Sequence, residues 1–96
     1  MSTEYRIAVH ARTTSGFDTI GEFYVGTDRR EASQLFKSLN GSANDLEDGV
    51  LVMDLRELNR GLLFDIHMIQ CTLDEVAENC RLITKHQFKT LNLKNL

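Results

Sequence analysis

The sequence predicts an α+β domain with the element order ββαββα. Two observations carry this prediction. Apolar and polar residues alternate with a period of two along four segments, which is typical of half-buried β-strands. Helix-capping sites at Thr27-Asp28 and at Thr72 lie 45 residues apart, and each follows two such segments. We therefore expect a two-layer sandwich, in which a four-stranded antiparallel sheet carries both helices on one face.

Length and composition limit what the chain can be. It has 96 residues, of which 42% are hydrophobic and 26% are charged, and its formal net charge is -3. A chain of this size buries roughly 65% of its surface, enough for one core, so we expect residues 1–96 to form a single domain. No apolar run approaches the ~18 residues of a membrane span, and residues 1–6 lack the apolar stretch of a signal peptide. Two cysteines make no disulfide framework, and we therefore expect a cytoplasmic protein without membrane contact.

The first hairpin is predicted from strands at residues 4–12 and 19–26. Residues 13–18 between them contain a Ser-Gly pair and are predicted as a loop, short enough for an antiparallel connection. The register that keeps apolar residues opposite each other places His10 opposite Glu22.

A short helix is predicted to follow this hairpin. Asp28 and Glu31 have the spacing of a capping box. The next apolar residues recur at i, i+3, i+4 and i+7, as on one face of a helix: Ala32, Leu35, Phe36 and Leu39. Asn40 and Gly41 tolerate the left-handed conformation that ends a helix, and the polar residues 40–49 are predicted as a loop.

The second hairpin is predicted from strands at residues 50–57 and 62–71. Two connections are compatible with the residues between them. One is a two-residue loop at Arg60-Gly61, and the other is a three-residue loop that starts at Asn59 and ends in a glycine bulge.

Charge pairing distinguishes these two connections. The two-residue loop places Arg56 opposite Asp65 and Asp54 opposite His67, and both pairs are charge-complementary. The three-residue loop places Asp65 opposite Leu55 instead. We therefore favour the two-residue loop.

The second helix begins at a capping box formed by Thr72 and Glu75 and is predicted to end at about residue 87. Its apolar stripe comprises Leu73, Val76, Ala77, Cys80 and Ile83. The tail, residues 88–96, alternates weakly. It is compatible with a short fifth strand at the sheet edge or with a frayed end.

The face of the sheet away from the helices, which we call the outer face, is the predicted binding surface. In the favoured register its residues from the second hairpin are Val50, Val52, Asp54, Arg56, Asp65, His67 and Ile69. Together with Ala8 and Tyr24 this surface is too apolar to be fully solvated, and such patches usually contact another surface. In a small chain the commonest partner is a second copy. The leading prediction is therefore a non-catalytic interaction or regulatory module that forms a homodimer through this face, with an unidentified protein partner as an open alternative.

A second hypothesis is a small-ligand-binding or enzymatic domain that uses Asp54, Arg56, Asp65 and His67. A histidine held by a carboxylate is the orienting half of a nucleophilic triad. Because the sequence places no serine, threonine or cysteine beside that pair, we assign no catalytic residue and do not favour an enzyme.

A third hypothesis concerns a basic edge formed by Arg81, Lys85, Lys89 and Lys94, in a segment of 16 residues without an acid. Their positive charges either stabilise the C-terminus of the second helix through the helix dipole, or they bind an acidic partner or a nucleic acid. Nucleic acid is disfavoured because the whole chain is acidic.

Metal binding and a reactive thiol are also disfavoured. His67, Cys71, Cys80 and His86 lack the ligand spacing of a zinc site, so we expect no metal and no cofactor. Cys71 precedes a helix N-terminus, which favours a thiolate, but no resolving cysteine accompanies it.

Overall fold

The structure is a computed structural model that describes residues 3–44 and 49–90. Its elements follow the predicted order: β1 (Glu4–Thr13), β2 (Gly16–Tyr24), α1 (Arg29–Lys37), β3 (Leu51–Asn59), β4 (Leu62–Cys71) and α2 (Leu73–Thr90). The four strands form one antiparallel sheet in the order β2-β1-β3-β4. The first strand of each hairpin is therefore central and the second lies at an edge. This arrangement confirms the predicted α+β class.

The hydrophobic core lies between the sheet and the two helices. Its buried members are Tyr5, Ile7, Val9, Val25, Ala32, Leu35, Phe36, Met53, Leu55, Val76 and Ile83. Because α1 and α2 contribute to the same cluster as the central strands, both helices cover one face of the sheet, as predicted. Each fully buried aliphatic side chain stabilises the fold by about 1.5–3 kcal/mol relative to an exposed one.

Both helices begin at the predicted caps. The Asp28 carboxylate accepts hydrogen bonds from the backbone N–H groups of Arg30 and Glu31, at 2.8 and 3.2 Å. The backbone N–H of Thr72 donates to Glu75, and the N–H of Glu75 donates to the Thr72 hydroxyl. Helix α2 continues to Thr90, so the fifth-strand alternative is wrong for residues 88–90. The rest of that prediction concerns residues 91–96, which lie outside the described residues.

The turn of the second hairpin is the predicted two-residue loop. Arg60 and Gly61 both adopt positive φ, 54° and 80°, the conformation of a tight hairpin turn. Arg56 consequently lies opposite Asp65, which confirms the first of the two predicted charge pairs.

The second predicted pair is wrong, because the register shifts by one residue between Leu55 and Arg56. Asp54 lies opposite Met68 and not opposite His67. The bulge allows both Ile66 and Ile69 to pack against the core. In a regular strand, residues three apart lie on opposite faces, so only a bulge can bury both. Its consequence is that His67 and Ile69 leave the outer face.

The predicted register of the first hairpin is also wrong. Thr13 lies opposite Gly16, so the chain turns within the predicted loop and β2 starts earlier than expected. The Thr13 hydroxyl stabilises this turn by donating to the Gly16 carbonyl at 3.0 Å. In the register that this turn sets, His10 lies opposite Thr19 and not opposite Glu22. A register shift between Val9 and His10 then places Glu22 opposite Ala8.

A polar side chain joins helix α2 to the segment after α1. Asn79 is fully buried, and its side-chain oxygen accepts from the backbone N–H of Asn40 at 2.7 Å. Its amide nitrogen donates to the Asn40 carbonyl at 2.8 Å and to the Met53 sulfur at 3.4 Å. The Cys71 thiol also donates to the Asn40 carbonyl. We call Asn79, Asn40, Met53 and Cys71 the Asn79 cluster.

Candidate functional site

The outer face is closely packed although neither helix covers it. Strands β1 and β3 pair so that Ala8 lies opposite Asp54 and His10 lies opposite Val52. All four side chains are buried, with exposed fractions between 0 and 7%. The middle of the outer face is therefore shielded by other side chains of the same face.

A buried ion pair occupies this middle. Asp54 Oδ1 lies 3.1 Å from Arg56 Nε, and the Asp54 side chain is 2% exposed. Among the described residues, neither of these two atoms has a hydrogen-bond partner. The two side chains therefore attract each other by charge, but their orientation does not form a hydrogen bond. Burial raises the pKa of Asp54 above its ordinary value, and Arg56 and His10 act in the opposite direction.

His10 connects this ion pair to strand β2. Its Nδ1 lies 2.9 Å from the Thr19 hydroxyl. Its Nε2 lies 3.1 Å from Asp54 Oδ2 and 3.1 Å from Arg56 Nη2. A single ring nitrogen either donates to the carboxylate or accepts from the guanidinium, so one of these two contacts stays unsatisfied in either tautomer.

Carboxylates outnumber guanidinium groups around this ion pair. Arg56 lies near Asp54, near Asp65 at 3.6 Å and near Glu22 at 3.7 Å. Glu22 also contacts Arg6 at 3.1 Å, and Arg6 in turn contacts Glu4. In this network, two arginines face four carboxylates. The Asp65 side chain is 59% exposed and thus remains accessible.

A cleft of about 290 Å³ opens over this network. It is lined by His10, Phe17, Thr19, Val52, Asp54, Arg56, Asp65 and Met68. Its walls are partly apolar, and the Phe17 ring is held by the Arg12 guanidinium, 4.5 Å from the ring centroid. We call this space the outer-face cleft. An apolar wall combined with a few polar groups is typical of small-molecule sites, and this volume lies at the lower end of their range.

The cleft brings together four of the seven residues that the sequence predicted for the outer face, namely Val52, Asp54, Arg56 and Asp65. The other three lie elsewhere. Val50 precedes β3 and is 64% exposed. His67 stacks against the Phe36 ring on the helix side, and Ile69 packs against the core.

Sequence reasoning missed the contact between His10 and Asp54, and with it Phe17, Thr19 and Met68. His10 was predicted to contact a different carboxylate, that of Glu22. The alternation of apolar residues contains no signal for the two bulges, and these decide which side chains share the outer face.

The predicted basic edge is partly described. Arg81, Lys85 and Lys89 are exposed residues four apart on α2, while Lys94 lies outside the described residues. Arg81 forms an ion pair with Glu78 at 2.7 Å, and this contact lowers the pKa of Glu78.

The cysteines show no sign of a metal site or a reactive thiolate. Cys71 and Cys80 are free thiols, and burial raises the pKa of Cys71 to about 11. Cys71 therefore stays protonated at neutral pH. Over residues 3–44 and 49–90, no three His, Cys, Asp or Glu side chains come together as metal ligands.

Comparison with protein-family models, curated proteins and solved structures finds no match for this chain. Within the part of the chain that the structure describes, no helix is long and apolar enough to cross a membrane. The function is therefore inferred from the outer-face cleft itself.

Proposed function

We propose that the chain is a small-molecule-binding domain whose ligand occupies the outer-face cleft. The observation that carries this proposal is the buried ion pair of Asp54 and Arg56, whose facing atoms make no hydrogen bond among the described residues. A buried polar atom without a hydrogen bond costs about 1–3 kcal/mol. A ligand that displaces one of the two side chains and bonds to the facing atom of the other recovers part of that cost, which favours binding at this point.

Binding is favoured over catalysis by the position of Arg56. Thr19, His10 and Asp54 follow each other in the order of a nucleophilic triad. In a triad, the imidazole accepts the hydroxyl proton at one nitrogen and donates to the carboxylate from the other. Here Arg56 Nη2 directs a donor at the nitrogen that would have to donate to Asp54. The guanidinium thus favours the tautomer that cannot take a proton from Thr19.

Native mass spectrometry of the purified protein tests this proposal. The protein is measured as isolated and again after incubation with a small-molecule extract of the cells that produced it. We expect one chain with a non-covalent adduct, which is lost in Asp54→Asn and retained in the control Asp74→Asn on α2. An extract that adds no mass, or an adduct that is indifferent to Asp54→Asn, would contradict the proposal.

A homodimer through the outer face is the second candidate. It is favoured by the exposed apolar side chains Phe17, Tyr24, Leu63 and Met68, which are 36–54% exposed. Exposed apolar residues that share one face of a sheet are typical of interaction surfaces. We also propose a cytoplasmic location. The free thiols of Cys71 and Cys80 are compatible with it, and so is a homodimer.

Sedimentation equilibrium tests this second candidate, because it distinguishes a dimer from a monomer. The double variant Tyr24→Glu/Leu63→Glu should convert a dimer into a monomer, because dimer formation would bury the two introduced carboxylates. The matched control is Leu73→Glu, a 72% exposed apolar residue at the start of α2. A wild-type chain that stays monomeric at all concentrations argues against the dimer.

A further inference from the structure

The charge around the outer-face cleft restricts the ligand that fits it. The charged groups that line it are the carboxylates of Asp54 and Asp65 and the guanidinium of Arg56, which is already engaged in ion pairs. An anionic ligand would lie close to Asp54 and Asp65, which repel it. A cationic ligand would reduce the excess of negative charge. The electrostatics therefore favour a positively charged ligand.

Asp54 supplies a second, independent observation. Its Oδ1 is a buried acceptor that lacks a hydrogen-bond donor among the described residues, and Asp54 lines the cleft. A protonated amine carries up to three N–H donors and no acceptor. It can donate to Asp54 Oδ1 once Arg56 Nε, which faces that atom at 3.1 Å, turns towards Asp65 Oδ1, 3.6 Å away.

The walls of the cleft indicate that the cation is organic. Phe17, Val52 and Met68 line it and provide apolar surface that a metal ion would not use. Among the described residues, no three His, Cys, Asp or Glu side chains come together as metal ligands. The small volume of the cleft limits the ligand to a compact molecule.

We infer that the outer-face cleft binds a small organic cation, namely a protonated amine with an apolar body. The ammonium group lies between Asp54 Oδ1 and the exposed Asp65 carboxylate. The apolar body lies against Phe17, Val52 and Met68. This inference rests on the proposed function, since it names the ligand class of the same site.

Three probes of nearly equal size and different charge test the inference. Phenethylammonium, 2-phenylethanol and phenylacetate are each titrated into the protein, and binding is measured by calorimetry. We expect the cation to bind at least about tenfold more tightly than the alcohol and phenylacetate to show no binding. An alcohol or a carboxylate that binds as well as the cation overturns the inference and leaves the proposed function intact. Failure of all three probes at about 10 mM overturns the inference as well, and the proposed function is then judged by native mass spectrometry alone.

Two variants locate the ammonium group. Asp65→Asn removes one charge with little change in size, and it should weaken phenethylammonium about two- to fivefold, the range for a partly exposed ion pair. The control Asp74→Asn makes the same change at the start of α2 and should leave the affinity unchanged. Equal affinities for wild type and Asp65→Asn would overturn the placement of the ammonium group.

Discussion

Two buried polar clusters lie on opposite faces of the sheet, and they differ in how well they are hydrogen-bonded. On the helix side, the Asn79 amide bonds to both backbone groups of Asn40 at 2.7 and 2.8 Å. On the outer face, Asp54 and Arg56 lie 3.1 Å apart with facing atoms that make no hydrogen bond among the described residues. The first cluster is neutral and closed, whereas the second is charged and opens into a cleft.

This difference in hydrogen bonding distinguishes a cluster that stabilises the fold from a cluster that can bind a ligand. A satisfied buried network fixes the chain in one arrangement, and the Asn79 cluster does so by attaching the segment after α1 to α2 and β4. An unsatisfied cluster carries a cost in the free protein that a ligand can relieve. The comparison therefore predicts that stability depends mainly on Asn79 and binding mainly on Asp54.

The largest expected effect on stability comes from Asn79→Ala. It leaves the backbone N–H of Asn40 without its partner, leaves the Asn40 carbonyl with only the Cys71 thiol, and creates a cavity beside Met53. We expect a loss of about 2–4 kcal/mol in the free energy of unfolding, measured by chemical denaturation. Asp54→Asn should cost less than Asn79→Ala, because Arg56 is partly exposed and keeps Asp65 and Glu22 as carboxylate partners. A larger loss for Asp54→Asn than for Asn79→Ala would reverse the comparison.

Gly41→Ala should have the next largest effect. A Cβ at residue 41 would lie 2.8 Å from the Gln70 carbonyl oxygen and 2.9 Å from the Ile69 side chain, so the segment held by Asn79 would have to move. We expect a loss of about 1–3 kcal/mol in the free energy of unfolding. The control is Gly21→Ala, where no atom lies within 4 Å of the added Cβ. Equal stability for both variants would show that the segment does not pack closely against β4.

The smallest expected effect is a pH dependence that Asp54 imposes on stability. Burial raises the pKa of Asp54 above its ordinary value of 3.8, so the folded state binds its proton more tightly than the unfolded state does. The resulting stabilisation is complete below 3.8 and is lost as the pH rises through the pKa of the folded state. We therefore expect the stability of wild type relative to Asp54→Asn to fall with rising pH across this window. A relative stability that rises with pH would mean that Arg56 and His10 outweigh burial.

The architecture was predictable because its signals are local. Alternation over three or four residues identifies each strand, and the capping boxes at Asp28 and Thr72 identify each helix start. The tight turn at Arg60-Gly61 was likewise predictable from charge pairing close to the turn, which a later bulge does not disturb.

The composition of the outer-face cleft was not predictable in full, because it depends on the position of the first turn, on a bulge and on strand order. One extra residue in β4 moves His67 to the helix side, and the turn after Thr13 brings Thr19 opposite His10. Pairing of β1 with β3 then brings His10 within reach of Asp54. These features follow from packing between elements distant in sequence, which periodicity within one strand does not report.

One measurement compares the two clusters directly. Met53 contacts Asn79, and Met68 lines the outer-face cleft, so methyl-labelled methionine places one NMR signal at each cluster. Because the chain has three methionines, Met68→Leu and Met53→Leu are both used to assign the two signals. The protein is then titrated with a panel of small polar molecules that includes protonated amines. We expect ligands to shift the Met68 signal in a saturable manner and to leave the Met53 signal in place. A panel that moves neither signal, or that moves both alike, would contradict the claim that the outer-face cleft is a binding site.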